Sequence, residues 1–349
     1  EVMTLADGDT LDLTAGVVRR TLAGRSYTMF GFNGQYPGPM LRVPQGAHVV
    51  VRFHNALPLP STVHWHGLRL DARFDGVPGL SQPAVEPGES FTYQLVFPDG
   101  GIFWYHPHVR EDIQQDLGLY GNIFVQPSRP DAWGPVHREE FLILDDLLVG
   151  SDGLVPWGRD EPTHAAMGRF GNLLLVNGEP DWKLAVRRGE VVRLFLTNAS
   201  NTRTFNLSFG AGARLKVVGS DLSNFARESW AESVVIGPAE RYVVEVRFEA
   251  PGPVAMVNAV QGQDHMNGRF FPVVDTLGVV TVGEERAEPD LAPSFGALRT
   301  DRFVADETTE LLRANQALPP ERVLELRAKW VGLPFVTERL MRVDSLYHN

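Results

Sequence analysis

Residues 46–55 read GAHVVVRFHN, and residues 189–198 repeat the same pattern as GEVVRLFLTN. Glycine opens both segments, a mostly apolar run follows, and asparagine closes both. Runs of β-branched and aromatic residues between turn-forming residues are typical of strands. The repeat therefore predicts that one strand-built unit occurs twice in the chain.

The repeat extends on both sides of these segments. The further matched pairs are Asn33-Gly34 with Asn177-Gly178, and residues 86–89 with residues 237–240. Short segments rich in valine, isoleucine, leucine and phenylalanine recur between 34 glycines and 25 prolines, and helical periodicity is scarce. We therefore predict an all-β protein in which the same β-sandwich is duplicated.

Two His-X-His segments, His64-Trp65-His66 and His106-Pro107-His108, are the candidate chemical site. Residues two apart on a strand point to the same face, so each pair could contribute both imidazoles to one centre. Imidazole is a ligand for copper, zinc, iron and nickel, and four histidines could also hold one structural zinc ion. The alternative is that they are ordinary core or surface histidines.

The repeat provides an internal comparison for these histidines. In the register of the repeat, His64 and His66 fall on Leu207 and Phe209, and His106 and His108 fall on Val257 and Ala259. We expect these positions to face inward in both copies. Four buried imidazoles need polar partners, which a metal would supply. A slip of one residue would place every side chain on the opposite face.

Composition excludes several classes of function. The net charge of −11 opposes binding to nucleic acid phosphates and to anionic membrane surfaces. The chain contains no cysteine, which excludes disulfides, thiolate metal ligands and thiol nucleophiles within it. No apolar run reaches the roughly 18 to 20 residues that span a bilayer.

The chain changes character after Gly283. Residues 284–320 are charged and contain proline, which indicates a linker with one short helix near residues 308–316. Residues 324–330 then alternate apolar and charged side chains, the period of a half-buried strand. We expect domains at residues 1–130 and 131–283, and a linker and the first strand of an absent third domain at residues 284–349.

Taken together, the motifs resemble those of the multicopper oxidases, whose laccase-like members have three cupredoxin domains. The histidine segments resemble the first two copper motifs of the family. Four further matches surround them in the family's order: residues 33–39 (NGQYPGP), 75–78 (DGVP), 87–89 (PGE) and 118–121 (GLYG). The resemblance implies tandem cupredoxin-like Greek-key β-sandwiches, with copper ligands in the first and none in the second.

The resemblance also implies roles for individual residues. His64 would be a ligand of the type-two copper, and His66, His106 and His108 would be ligands of the type-three pair. Asp75 matches an acidic residue that the family places near the cluster to assist proton delivery. The alternative for Asp75 is an ordinary turn aspartate before Gly76.

The implied activity is one-electron oxidation of small substrates coupled to reduction of dioxygen to water. Without cysteine, the type-one copper site is absent from this chain, and its ligands and the remaining cluster ligands would come from the missing third domain. An exposed docking face for that domain would also permit homo-oligomers. The family resemblance favours an extracellular or periplasmic location.

Two other classes of function compete with the oxidase. The first is a copper- or zinc-binding cupredoxin scaffold without oxidase activity in this truncated form. The second is a copper-free relative that keeps the fold for protein interactions, which the four retained ligand positions disfavour. Copper content and the blue absorption of a thiolate-bound copper distinguish these hypotheses.

Overall fold

The computed structural model describes residues 1–158, 163–165, 168–210, 213–221, 223–264, 268–316 and 347–348. Over these ranges the chain is built mainly of strands arranged in two β-sandwiches, which confirms the predicted all-β class. Within the described ranges, no helix is long and apolar enough to cross a lipid bilayer.

The first sandwich packs two sheets around one core. Its strands are β1 (Val2–Thr4), β2 (Thr10–Leu22), β3 (Arg25–Phe32), β4 (Met40–Pro44), β5 (His48–Asn55), β6 (His64–His66), β7 (Ser90–Val96), β8 (Gly101–His106) and β9 (Gly121–Gln126). One sheet has the order β1–β4–β9–β8–β6 and the other has the order β3–β2–β5–β7. A 3-10 helix (Ala72–Phe74) and helix α1 (Glu111–Gln114) lie in its connections.

The second sandwich follows the same plan. Its strands are β10 (Arg138–Leu147), β11 (Val149–Gly150), β12 (Gly153–Leu154), β13 (Leu173–Val176), β14 (Trp182–Arg188), β15 (Glu190–Asn198), β16 (Phe205–Phe209), β17 (Leu215–Ser220), β18 (Ser223–Ala231), β19 (Val234–Ile236), β20 (Arg241–Phe248), β21 (Gly252–Asp264) and β22 (Arg269–Arg286). Its sheets have the orders β13–β10–β15–β20–β17–β18 and β14–β22–β21–β16–β19. A short pair β11–β12 stands apart, and β23 (Tyr347–His348) pairs with β21.

Corresponding strands of the two sandwiches have corresponding partners. Strand β5 pairs in parallel with β2 and antiparallel with β7, and β15 pairs in parallel with β10 and antiparallel with β20. The repeat read from the sequence is therefore a repeat of topology.

The matched asparagines make matched hydrogen bonds. Asn33 and Asn177 both adopt a left-handed conformation, with φ of 51° and 52°. Each side-chain oxygen accepts a backbone N–H from the neighbouring strand, from Thr14 at 2.7 Å in the first copy and from Ile143 at 2.8 Å in the second. Asparagine tolerates this conformation because its side chain bonds locally to the backbone.

The sandwiches pack against each other through the outer face of the β8–β9 sheet. Ile102 and Phe124 of the first sandwich meet Phe195, Val218 and Val243 of the second in one buried apolar cluster. This contact explains why every residue of β15 is buried, whereas β5 alternates between buried and more exposed residues.

The segment after β22 packs on the second sandwich. Strand β22 continues to Arg286, helix α2 spans Ala292–Gly296, and helix α3 spans Arg302–Gln316, starting six residues before the predicted helix. Arg129 and Asp301 form an ion pair that joins this segment to the chain between the sandwiches. The strand predicted at residues 324–330 lies outside the described residues, and the predicted domain limits stay predictions.

Candidate metal centre

Strands β6 and β8 bring the four histidines together. The two strands are antiparallel neighbours in which His64 lies opposite His106, and His66 lies opposite Trp104. His108 follows two residues after the end of β8, where its backbone N–H donates to Thr62 Oγ1 at 3.2 Å. One cross-strand pair therefore fixes the centre of the cluster.

Two glycines shape the turns around β6. Gly76 has φ of +78°, and a Cβ atom there would lie 1.9 Å from the carbonyl oxygen of Val63. Gly67, which follows β6, has φ of +87°. Side chains larger than that of glycine are strained at these angles, so glycine is needed at both positions.

The histidines do not face the core of the first sandwich, contrary to the expectation from the repeat register. The core-facing residue of β6 is Trp65, which is fully buried, and the core-facing residues of β16 are Leu207 and Phe209. Leu207 also pairs with Asn258 rather than with Val257. The predicted register for His64 and His66 was therefore wrong by one residue, and the two histidines lie on the face that corresponds to Ser208 rather than on that of Leu207 and Phe209.

The four rings form a compact group on the outer face of the sheet. Centroid separations are 4.6 Å for His64–His108, 5.1 Å for His106–His108, 5.3 Å for His64–His106, and 5.4 Å for both His64–His66 and His66–His106. One nitrogen from each of His64, His66 and His106 lies within 4.8 Å of the other two. Trp104 stacks on His106 with centroids 4.0 Å apart and an interplanar angle of 19°.

Oxygen acceptors fix the tautomer of three rings. Nδ1 of His64 donates to the carbonyl oxygen of Asp75 at 2.7 Å, Nδ1 of His106 donates to the carbonyl of Pro107 at 3.0 Å, and Nδ1 of His108 donates to Oε1 of Glu111 at 3.1 Å. A neutral imidazole that donates from Nδ1 keeps its lone pair on Nε2. Metal-binding histidines usually have this outer hydrogen bond.

His66 is oriented differently. Its Nδ1 lies 3.2 Å from Nε2 of His106, so one nitrogen of each ring is directed at the other. Its ring also lies near Trp104, with centroids 5.1 Å apart.

The surroundings of His64, His66 and His106 favour their neutral forms. Burial lowers the pKa of His64, and it lowers the pKa of His106 well below its ordinary value. Burial, with a contribution from the positive charge of Arg241, lowers the pKa of His66 to about 3. Because neutral imidazole is the form that binds metal, these three rings are ready to act as ligands near pH 7.

Asp75 lies beside the cluster, and its shortest contact with His64 is through its backbone. Its carbonyl oxygen accepts the hydrogen bond from His64, and its carboxylate Oδ1 lies 3.3 Å from the same nitrogen. It also ends the 3-10 helix and precedes Gly76, so it is a turn residue as well.

Two further residues near the cluster, Glu111 and Arg241, were not predicted from the sequence. Glu111 contacts His108. Its position three residues after His108 is a local sequence signal for such a contact. Arg241 of the second sandwich is buried, pairs with Asp221 at 2.9 Å, and packs on Gly67, where a Cβ atom would lie 2.5 Å from its Nη2. No local pattern links Arg241 to the histidines, because only the packing of the sandwiches brings it there.

The fold and the cluster together define a class: tandem cupredoxin-like β-sandwiches with a histidine-rich candidate metal centre. Residues 15–130 match a family model described as multicopper oxidase, and residues 157–275 match a second model with the same description. Together these matches span more than half of the chain. The chain belongs to the multicopper oxidase family.

Individual relatives agree with this assignment. Copper resistance protein A of Escherichia coli is 34% identical over 289 residues, which cover 70% of this chain and 47% of that protein. Lac15 from a marine microbial metagenome is 31% identical with a TM-score of 0.65, covering 80% of this chain and 68% of that one. The multi-copper oxidase from Pseudomonas Thermotolerans is 30% identical with a TM-score of 0.67, covering 82% and 66%. The chain spans about half the length of the curated relative named here.

Proposed function

We propose that this chain is the two-sandwich portion of a laccase-like multicopper oxidase that oxidises small substrates by one-electron steps and reduces dioxygen to water. The observation that supports this most is the four-histidine cluster. In three of its rings Nδ1 donates a hydrogen bond to an oxygen acceptor, which leaves the lone pair of Nε2 free to bind a metal. Neutral imidazole sets of this kind suit copper.

In this proposal His64 is a ligand of the type-two copper, and His66, His106 and His108 are ligands of the type-three pair. Bound copper would collect electrons from the reducing substrate and pass them to dioxygen. The histidines hold the ions, and the carboxylate of Asp75, next to His64, assists proton delivery.

The proposal needs groups that are not among these 349 residues. The 349 residues include no cysteine, so in this proposal the thiolate of a type-one site comes from another part of the oxidase. We propose that a third cupredoxin domain supplies this thiolate and the remaining cluster histidines. Export to the periplasm or the exterior, and association of copies, remain parts of the proposal that rest on the family resemblance.

Oxygen uptake by the natural full-length protein tests the proposed activity. A phenol, an aromatic amine and a cuprous salt are supplied separately as reductants, and dioxygen consumption and hydrogen peroxide are measured. We expect uptake without peroxide release with at least one reductant, and loss of uptake in His106→Ala but not in His54→Ala. His54 lies on β5, in the opposite sheet, where it contacts Ser90. A copper-loaded protein that consumes no dioxygen with any reductant would contradict the proposal.

A further inference from the structure

Glu111 is the one carboxylate side chain, among the described residues, that the structure pairs with His108. Its Oε1 lies 3.1 Å from Nδ1 of His108, and one ligand atom from each of His106, His108 and Glu111 lies within 4.8 Å of the others. Neither the copper motifs nor the family resemblance assigns it a role.

The local backbone is built to hold this contact. Arg110 adopts a left-handed conformation with φ of 46°, and helix α1 begins directly after it at Glu111. Gln114, at the end of that helix, is buried, accepts a hydrogen bond from Ser61 at 2.7 Å, and donates to the carbonyl of Pro60 at 2.9 Å. The turn after His108 is therefore anchored to the segment that leads into β6, which places Glu111 against the His108 ring.

The acceptor of the Nδ1 hydrogen bond differs between His108 and the other two rings, although the carboxylate Oδ1 of Asp75 also lies 3.3 Å from Nδ1 of His64. The Nδ1 atoms of His64 and His106 donate to backbone carbonyls, whereas that of His108 donates to a carboxylate. A hydrogen bond to an ionised acceptor is roughly twice as strong as one between neutral groups. Such a partner also increases the basicity of the imidazole as a ligand.

We propose that Glu111 is a positioning residue that fixes the His108 ring with Nε2 free and strengthens its donation to a bound copper ion. The inference rests on the proposed copper-binding function and deepens it.

Copper affinity of the natural full-length protein and its variants tests this proposal. Replacement of an outer hydrogen-bond partner typically weakens metal binding about 10- to 100-fold, so we expect a loss in this range for Glu111→Ala. Glu111→Gln keeps an oxygen acceptor without the charge, and we expect an intermediate loss. Because Glu111 is half-exposed, the metal-free variants should unfold at the wild-type temperature.

Asp112→Asn is the matched control. Asp112 is the next residue of the same helix and is similarly exposed, but its carboxylate pairs with Arg110 at 2.8 Å and not with a histidine. We expect this variant to bind copper with wild-type affinity.

The nitrogen-15 chemical shift of His108 Nδ1 in the copper(I)-loaded full-length protein is a second readout, which a merely structural role of Glu111 would leave unchanged. We expect it to change in Glu111→Ala and Glu111→Gln and to stay constant in Asp112→Asn. An unchanged shift, or unchanged affinity in Glu111→Ala, would overturn the proposal. So would loss of a copper–oxygen bond in X-ray absorption of Glu111→Ala, because Glu111 would then be a ligand itself.

Different results would contradict the proposed copper-binding function and the proposed role of Glu111. A natural full-length protein that does not bind copper contradicts the proposed function. A full-length protein that binds copper at the cluster, with no effect of the Glu111 variants, contradicts only the role of Glu111.

Discussion

The same position in the two sandwiches has opposite chemistry. In the first, Arg52 on β5 lies opposite Asp12 on β2, and the two form an exposed ion pair with a nitrogen–oxygen distance of 2.6 Å. In the second, the matching residues are Phe195 and Phe141, whose rings stack at 4.7 Å with an interplanar angle of 7°. One sheet face meets solvent, and its counterpart meets the other sandwich.

The difference shows which parts of the repeat maintain the fold and which define the interface. The left-handed asparagines and the strand pairing correspond in both copies, and the core-facing residues are apolar in both. Outward-facing positions differ, and among them are the histidines on β6 and the aromatic residues on β15. The cluster lies close to where the two outer faces meet.

The largest expected effect tests the interface side of the comparison. Phe195→Ala should lower the free energy of unfolding by about 3–5 kcal/mol, because a fully buried ring is lost between the sandwiches. Arg52→Ala should leave the unfolding midpoint almost unchanged, because exposed ion pairs contribute little. Chemical denaturation of both variants measures the contrast. Equal losses would contradict the assignment of the two faces.

The second prediction concerns the cluster itself. His106→Ala removes the central imidazole, which contacts all three other rings. Because loss of an outer partner already weakens binding about 10- to 100-fold, we expect loss of a ligand to exceed that range. Titration with copper measures the affinity, and His54→Ala is the control that should bind as the wild type does. Equal affinity of the two variants would refute the ligand assignment.

The third prediction tests what the two copies share. Asn55 donates to the carbonyls of Leu59 and Val85, and Asn198 donates to those of Arg203 and Ile236. Both asparagines are fully buried, so replacement by alanine leaves buried backbone groups unpaired at a cost of roughly 1–3 kcal/mol. Denaturation should show similar losses for Asn55→Ala and Asn198→Ala. A loss confined to one copy would show that the repeat is not equivalent there.

The smallest expected effect is that of Asp75→Asn on copper binding. The main acceptor for His64 is the backbone carbonyl of residue 75, which the substitution keeps. We expect a change in copper affinity of less than about 10-fold, below the range for loss of an outer partner. Slower dioxygen reduction in the full-length variant with unchanged affinity would support proton delivery, whereas unchanged turnover would leave Asp75 a turn residue.

The sequence was sufficient for the fold class, the repeat and the meeting of the histidines, because strand periodicity and turn residues are local signals. It was insufficient for the face on which the histidines lie. In the strand, Trp65 points to one face and its neighbours His64 and His66 point to the other. The alternation does not show which face is the core, and only packing decides this. The histidine face is covered in part by residues far away in the chain, such as Arg241, which no local pattern identifies.

The most direct test of copper binding by this cluster is to record nitrogen-15 spectra of the histidine side chains while the full-length protein is titrated with copper(I). We expect the Nε2 resonances of His64, His106 and His108 to shift together on binding, with His66 also affected, while those of His48, His54 and His137 stay constant. Shifts confined to His48, His54 or His137, or no shift at His106, would contradict copper binding by this cluster.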